Sequence, residues 1–224
     1  MQYSVYSDSA WTYPDSPHTQ IHQASLEAAR GGHAAFQLLG DTLDTGTPIS
    51  VSMNWEQPCG LSLYAGELLP VGVDENTSAT LMTTTDYESC RDFVTRKAPF
   101  YVYDAIRPLE NTLTGIRLAL YLSLQADCEE APGLYTGTLH ITVGEDKISV
   151  PVSCRVHSAC VPPIGKARLG MLNFFDYEGL TRQHNAAENS EGYWALFRRY
   201  VRAQLTMRCT HILLPSGRSW KTVS

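Results

Sequence analysis

The residues best equipped for chemistry form one polar stretch near the end of the chain. They are Asn173, Asp176, Tyr177 and Glu178. An amide, a phenol hydroxyl and two carboxylates can hydrogen-bond to the polar groups of a ligand. The stretch follows an apolar run, and if that run is a strand of a parallel sheet, its C-terminal end is where such folds bind ligands. An ordinary polar loop explains the same residues, and the sequence leaves both interpretations open. His211 and Ser216 are weaker candidates of the same kind.

The elements that would position this stretch are predicted to run strand, helix, strand. Residues 166–175 become apolar on both faces, as in a parallel strand covered on both sides. A polar loop over 176–189 and a helix over 191–207 follow. The short apolar run 211–215 then predicts a second buried parallel strand, so the last part of the chain is a partial βαβ unit.

The predicted helix is amphipathic. Asn189 or Ser190 can cap its first turn, which carries Glu191. Six apolar or aromatic residues recur at helical spacing on one face: Tyr193, Leu196, Phe197, Tyr200, Val201 and Leu205. Three basic residues lie away from the centre of that face: Arg198, Arg199 and Arg202. We therefore expect one packed face and one solvated basic face.

The residues before 166 have the pattern of a β domain, because apolar residues recur at every second position between frequent turn residues. The clearest strand, over 115–125, has core residues of one parity: Ile116, Leu118, Leu120, Leu122 and Leu124. The clearest hairpin joins 135–143 to 147–156, and the core parity of its second strand is Ile148, Val150, Val152, Cys154 and Val156. We predict an antiparallel two-sheet β-sandwich over residues 1–160, followed by a second domain over 161–224.

Weaker strands are predicted over 2–6, 49–54, 61–67 and 100–105. The segment 25–39 is ambiguous, because it is rich in helix formers and Gly31 could end a helix. Two strands joined by a tight turn at Gly31 and Gly32 agree better with a strand-rich domain, so strands are predicted over 25–29 and 34–39.

Composition and charge exclude several classes of partner. The chain has 224 residues, of which 43% are hydrophobic and 18% charged, as in an ordinary globular protein. A net charge of −6 without a basic run argues against nucleic acid and against an anionic membrane surface. No apolar run reaches the roughly 18 residues of a membrane helix. No secretory signal is predicted, so a cytoplasmic location is expected, or a secreted or periplasmic one if a signal was removed.

The cysteines and histidines predict neither a metal site nor a cofactor. The six cysteines, at positions 59, 90, 128, 154, 160 and 209, contain no Cys-x-x-Cys pair. His18 and His22 have the i, i+4 spacing of a helical metal pair, but Pro17 precedes them and no further ligand follows, which favours a solvated loop. Most cysteines are expected to be reduced structural thiols. A disulfide framework, which needs an oxidising compartment, is the alternative.

Three segments resemble glycoside hydrolase family 123 and its relatives. They are LEAARGGHAAFQLL at 26–39, LALYLSLQADCEEAPGLYTGTLHITV at 118–143 and VPVSCRVHSACVPP at 150–163. The Pro-Gly-x-Tyr-x-Gly pattern within 131–138 is the most telling part. In such proteins an N-terminal β-sandwich leads into a (β/α)8 barrel, so the resemblance implies that residues 161–224 are the start of that barrel.

The resemblance also implies an activity for the complete protein. That activity is a retaining, substrate-assisted hydrolysis of N-acetylgalactosamine-type sugars, so carbohydrate is the implied partner. The family uses an adjacent Asp-Glu pair deep in the barrel, the Asp orienting the acetamido group and the Glu acting as general acid and base. The adjacent pair in this chain, Asp74 and Glu75, lies in the predicted sandwich, so no catalytic residue is carried across. A barrel needs about 250 residues, and we expect this chain to end within it and to be inactive alone.

Two other functions remain open. A stand-alone carbohydrate-binding sandwich would use an aromatic platform, for which Trp11, Tyr13 and Trp55 are candidates, although packing explains such residues more simply. A docking module would bind another chain, or self-associate, through apolar faces that a complete barrel would cover. Those faces would include Leu169, Met171, Phe174, Leu213 and Leu214.

Overall fold

The structure is a computed structural model that describes residues 1–76, 94–162, 172–173, 176–206 and 211–212. The chain divides into two compact units, Met1–Val161 and Pro162–Ser224. We refer to them as the sandwich and the C-terminal unit. The remaining residues include Leu169, Met171, Phe174, Leu213 and Leu214, so the docking faces predicted from them lie outside the described residues.

The described part of the sandwich contains nine strands. Their bounds are β1 Tyr3–Ser7, β2 Ala24–Arg30, β3 His33–Thr42, β4 Ile49–Trp55, β5 Ser62–Val73, β6 Phe100–Pro108, β7 Arg117–Gln125, β8 Gly133–Val143 and β9 Asp146–Cys160. One sheet has the order β1-β3-β7-β5-β6 and the other the order β2-β9-β8-β4. The prediction of a two-sheet β-sandwich is confirmed, and the strands predicted from period-two patterns all occur.

The main core fills the space between the two sheets. Leu118, Leu120, Leu122 and Leu124 of β7 are at most 1% exposed, as their shared parity predicts. On β9 the predicted core residues are also buried: Ile148, Val150, Val152, Cys154 and Val156. Ile116 was expected in the same row, but it is 68% exposed because β7 begins only at Arg117.

The hairpin of β8 and β9 turns through two residues, since Val143 pairs with Asp146. Gly144 lies in the left-handed region at φ +57°, which a two-residue hairpin turn favours. The register therefore places Leu139 opposite Val150 and keeps both strands' core residues on the inner face.

The ambiguous segment 25–39 forms strands, as predicted, but they lie in different sheets. The turn between β2 and β3 closes with a hydrogen bond from Gly32 N to Ala29 O at 3.0 Å, and Gly31 has φ +67°. After it, β3 pairs antiparallel with β7 while β2 pairs parallel with β9. The prediction of a purely antiparallel domain is therefore corrected by one parallel pair. The partner of β2 is not the next strand along the chain but a strand more than 120 positions away.

The C-terminal unit contains two described helices and a parallel strand pair. Its elements are β10 Leu172–Asn173, α1 Tyr177–His184, α2 Glu191–Thr206 and β11 His211–Ile212. The parallel pairing of β10 with β11 agrees with the predicted βαβ unit in its described part. The prediction of a polar loop over 176–189 is wrong, because α1 lies within it. Leu180 is the buried apolar residue of α1, so the helix has no apolar stripe for a sequence pattern to reveal.

Helix α2 has the predicted bounds within one residue, and Ser190 caps it by accepting a hydrogen bond from Tyr193 N at 3.1 Å. Tyr193 and Phe197 are buried, and Trp194 packs edge-on against both rings. Two residues of the predicted stripe are exposed instead, Tyr200 by 38% and Leu205 by 40%. The packed face of α2 is therefore centred on the first half of the helix. The three arginines are exposed, as predicted.

Neither helix in the described part of the chain is long and apolar enough to cross a lipid bilayer.

Candidate functional sites

The first candidate site lies at the carboxyl end of β10, where the chain enters α1. Asp176 is the N-cap of α1, and its Oδ1 accepts a hydrogen bond from Gly179 N at 2.8 Å. Glu178 lies in the first turn, where its negative charge suits the positive end of the helix dipole. Both carboxylates are exposed. They stabilise the start of α1 and still present acceptor oxygens to solvent.

Arg182 is the charged neighbour of this site. Its Nη2 lies 3.9 Å from Asp176 Oδ2, and the two side chains are 76% and 70% exposed. An ion pair so open to water contributes little to stability. A polar ligand can therefore compete with Arg182 for the Asp176 carboxylate.

The other predicted site residues are described by their backbone alone. Asn173 pairs with Ile212 in parallel register, so the carboxyl ends of β10 and β11 meet at one edge. Tyr177 is the first residue of α1 and His211 the first of β11. Ser216 lies outside the described residues. The backbone thus brings 173, 176–178 and 211–212 into one small unit, as the βαβ pattern predicts.

The Asp74-Glu75 pair lies elsewhere, directly after β5 in the sandwich. Both side chains are exposed. Among the described residues the two carboxylates are open to solvent, whereas the chemistry of glycoside hydrolysis needs a site that excludes water.

A second candidate site is a cavity of about 270 Å³ on the outer face of the sheet β1-β3-β7-β5-β6. We call it the outer-sheet cavity. Its lining residues are Asp8, Ser9, Ala10, Trp11, Gln37, Leu68, Tyr103, Asp104, Ile106 and Tyr121. They come from the loop after β1 and from β3, β5, β6 and β7, so the sheet forms the floor and the loop forms a wall.

Gln37 holds the loop wall of the outer-sheet cavity in position. Its Nε2 donates to the carbonyl oxygens of Ser7 at 3.0 Å and Ala10 at 2.8 Å, and its Oε1 accepts from Thr12 Oγ1 at 2.5 Å. Tyr103 N then donates to Thr12 O at 3.0 Å. Gln37 is 5% exposed, and both its amide nitrogen and its amide oxygen are hydrogen-bonded to the loop. The loop is therefore held on the sheet by these bonds and does not depend on packing of the Trp11 ring.

The side chains around the outer-sheet cavity suit a neutral polar ligand. Trp11 is 61% exposed and offers an aromatic face. Burial, and secondly the charge of Asp8, raises the pKa of Tyr121, and burial raises the pKa of Tyr103. Both phenols therefore stay protonated at neutral pH and can donate. Asp8 and Asp104 are exposed acceptors, and the described lining residues include no basic side chain that would attract an anion.

Of the three aromatic residues singled out from the sequence, Trp11 is the one that lines this cavity. Tyr13 packs under Arg96, whose guanidinium lies 4.6 Å from the ring centroid, and edge-on against Phe100. Trp55 packs against the main core. Sequence reasoning missed the other lining residues because they come from five separate segments, and Trp11 was the sole local signal.

The two histidines with i, i+4 spacing have different neighbours in the structure. His18 Nε2 lies 3.1 Å from Asp41 Oδ1, whereas the His22 ring packs edge-on against Tyr3. Within the described residues no group of three or more potential metal ligands occurs.

No family model matches the sequence, and no curated protein matches it. Among solved structures, the chain is similar to a family 123 glycoside hydrolase from Clostridium perfringens that was studied for glycolipid glycan hydrolysis. The TM-score is 0.65 at 10% sequence identity, over 94% of this chain and 37% of that chain. The chain thus spans little more than a third of that hydrolase, and the likeness shows a similar fold.

Two further structures match with much lower scores. Domains 4 and 5 of the S-layer protein SbsC match with a TM-score of 0.27 at 11% sequence identity, over 65% of this chain and 51% of that chain. The CooA pilin subunit from enterotoxigenic Escherichia coli matches with a TM-score of 0.29 at 9% sequence identity, over 71% of this chain and 99% of that chain. TM-scores this low do not indicate a common fold.

Proposed function

We propose that this chain is the N-terminal, non-catalytic part of a glycoside hydrolase of the family 123 kind. In this proposal the sandwich supports a (β/α)8 barrel, of which β10, α1, α2 and β11 are the first elements. The complete protein would be a retaining, substrate-assisted N-acetylhexosaminidase that acts on glycans containing N-acetylgalactosamine.

The observation that carries the proposal is the extent of the structural likeness. It covers 94% of this chain at a TM-score of 0.65, so it extends beyond the sandwich into the C-terminal unit. Many unrelated proteins contain a β-sandwich, and fold alone does not imply function. A sandwich followed in order by a strand, helices and a parallel strand is a more specific combination.

The proposal gives the first candidate site a role as substrate contact in the complete enzyme. Active sites of (β/α)8 barrels lie at the carboxyl ends of the strands, where β10 leads into Asp176 and Glu178. Exposed carboxylates there can accept hydrogen bonds from sugar hydroxyls. The acid and base of the reaction would come from an adjacent Asp-Glu pair encoded beyond residue 224, because Asp74 and Glu75 lie in the sandwich.

The first experiment is to read the coding sequence downstream of codon 224, in all three frames. The proposal expects a few hundred codons of alternating strand and helix with an adjacent Asp-Glu pair. A stop codon with no barrel behind it in any frame would remove the enzyme interpretation.

The second experiment is an assay of the 224-residue chain with 4-nitrophenyl N-acetyl-β-galactosaminide. We expect no release of 4-nitrophenol above the buffer rate. Turnover by the pure chain that is lost in Asp176→Asn or Glu178→Gln would contradict the proposal, because the catalytic groups would then lie within this chain. Asp176→Asn keeps a good helix cap while removing the charge, so its effect does not come from unfolding α1.

A carbohydrate-binding sandwich is the second candidate function, and the outer-sheet cavity is the observation that favours it. Binding of N-acetylgalactosamine to the 224-residue chain can be followed by titration calorimetry. Trp11→Ala should weaken binding at least tenfold, because the stacking of the indole ring on the sugar is lost while the fold is kept. Tyr101→Ala is the matched control, because Tyr101 is 63% exposed and does not line the cavity. Equal affinities of both variants and the unmodified chain would contradict a role for the cavity.

A further inference from the structure

Two cysteines that are far apart in sequence meet at the turn between β2 and β3. On one side of the turn, Gly31 N donates to Asp127 O at 3.2 Å, next to Cys128. On the other side, Arg30 pairs with Cys160, the last residue of β9, and Val161 N donates to Arg30 O at 2.8 Å. The same short turn therefore fixes the backbone beside both cysteines.

The absence of a side chain at position 31 leaves room for this meeting. A Cβ at Gly31 would lie 2.7 Å from Cys128 Sγ and 2.8 Å from the Val161 carbonyl oxygen. Cys160 Sγ lies 3.6 Å from that carbonyl oxygen. Both sulfur atoms thus lie in front of the turn, close to the Val161 carbonyl oxygen.

Both thiols are within reach of small molecules in solution. Cys160 is exposed and Cys128 is half-buried, whereas Cys154 of the main core is completely buried. Burial, and secondly the neighbouring Cys160 thiol, raises the pKa of Cys128, and the charges of Asp127 and Glu129 add to the shift. Cys128 is therefore mostly a neutral thiol at neutral pH, and Cys160 is the better exposed of the pair.

We propose that Cys128 and Cys160 form a dithiol–disulfide site, oxidised by small-molecule disulfides. The site is independent of the glycosidase proposal. It modifies the sequence-based expectation that most cysteines are reduced structural thiols, because it assigns two of the six a redox role.

The chemistry proceeds in two thiol–disulfide exchanges. The Cys160 thiolate attacks one sulfur of a disulfide R–S–S–R, forming a mixed disulfide and releasing R–S⁻. The Cys128 thiol loses its proton to solvent and attacks Cys160 Sγ, forming the intramolecular disulfide and releasing the second R–S⁻. Overall, two protein thiols are oxidised by two electrons and one R–S–S–R is reduced to two R–SH.

The disulfide would join the loop between β7 and β8 to the end of β9, where the chain leaves the sandwich. It closes a loop of about 30 residues, for which the chain-entropy model gives a rise in the melting temperature of about 7–15 °C. In the reduced form the end of β9 is held by its pairing with β2 and by the Val161 N to Arg30 O hydrogen bond, so the disulfide would add a covalent link at this point.

The test treats the full 224-residue chain with oxidised glutathione at about pH 8.5, where more Cys128 thiolate is present. Intact mass and peptide mapping under non-reducing conditions then report the cross-links. We expect a mass loss of two hydrogens and one linked peptide pair that contains residues 128 and 160. The melting temperature should rise on oxidation and return to its original value on reduction.

Three variants complete the test. Cys128→Ser should gain one glutathione on Cys160 and form no internal link at this site, and Cys160→Ser should form none either. Cys59→Ser, which changes a half-buried thiol at another place, should form the link as the unmodified chain does. Stable glutathione adducts without the internal link in the unmodified chain would overturn the proposal, as would a link between Cys128 or Cys160 and any other cysteine, including Cys90 or Cys209.

Discussion

Arg107 donates both Nε and Nη2 to a single oxygen, Oε2 of Glu67, at 3.1 and 2.7 Å. The Glu67 carboxylate is 1% exposed and the Arg107 side chain is 32% exposed, so the acid is buried while the guanidinium group reaches solvent. Its other oxygen accepts from the backbone N of Thr114 at 2.8 Å and of Gly115 at 2.7 Å. Through one buried carboxylate, β5 therefore holds β6 and the loop that leads into β7.

Glu67→Gln should destabilise the sandwich by about 2 kcal/mol, because it removes the negative charge that pairs with Arg107 and can turn an amide NH₂ towards the backbone N–H groups of Thr114 and Gly115. The measurement is the urea unfolding midpoint of the full chain by circular dichroism. Glu27→Gln is the matched control, since Glu27 is 71% exposed in its pair with His157 and should change stability by less than about 0.5 kcal/mol. Equal effects of the two variants would show that burial of Glu67 does not matter.

The two glycines of the Pro-Gly-x-Tyr-x-Gly motif should respond very differently to alanine. A Cβ at Gly137 would collide with the backbone oxygen of Asn54 and lie 2.8 Å from Met53 Cε on the neighbouring strand. A Cβ at Gly133 would lie no closer than 3.9 Å to another heavy atom, a carbon of the Tyr135 ring. Gly137→Ala should therefore cost about 2 kcal/mol or more in unfolding free energy, and Gly133→Ala less than about 1 kcal/mol. Thermal melts of both variants decide this, and a larger loss for Gly133→Ala would be the contrary result.

Cys154 should make the sandwich less stable in alkali. Burial, and secondly the nearby Cys59, raises the pKa of Cys154 to about 11 from its ordinary 9.0. Between pH 9 and 11 the folded chain keeps a proton that the unfolded chain has lost, so the free energy of unfolding falls as pH rises through this window. The stabilising contribution of Cys154 is fully present below pH 9.

The check compares urea unfolding of the unmodified chain and of Cys154→Ala across pH 8 to 11, the window around the two pKa values. The variant should show a shallower fall with pH, although its stability at pH 8 is lower because a cavity is created. Some dependence should persist above pH 10, because the hydrogen bond with Glu130, together with burial, raises the pKa of Tyr135 to about 12. Val152→Ala is the control, since it also shortens a buried side chain of β9 and should leave the slope unchanged. An unchanged slope in Cys154→Ala would contradict the assignment.

Asp176 should protect the first turn of α1 through its carboxylate oxygen. In Asp176→Ala, the Gly179 amide loses its acceptor, and the helix start should be weakened by about 1 kcal/mol. Amide hydrogen exchange measures this directly, and the Gly179 N–H should exchange about fivefold faster. Asp176→Asn retains an acceptor oxygen and should keep most of the protection. Equal exchange in both variants and the unmodified chain would mean that the cap does not form in solution.

Strand positions were readable from the sequence wherever one face of a strand is buried and the other is not. The rows Leu118 to Leu124 on β7 and Ile148 to Val156 on β9 repeat every second residue, and both are buried on one side. Helix α1 gave no comparable signal, because Leu180 is its buried apolar residue and polar residues surround it. The candidate residues at 173–178 were found because they follow one another along the chain.

The sequence by itself therefore determined the alternation of the strands, the sandwich class, and the strand, long helix and strand near the end, but not the short helix α1 between them. These follow from local patterns, in which a side chain's direction repeats with the period of its own element. The tertiary structure alone decided that β2 runs parallel to β9, that Trp11 lines a cavity with Tyr103 and Tyr121, and that one turn binds the backbone beside both Cys128 and Cys160. Each of these depends on segments distant in sequence whose meeting is set by sheet pairing and core packing, and no local period records which segment becomes the neighbour of another.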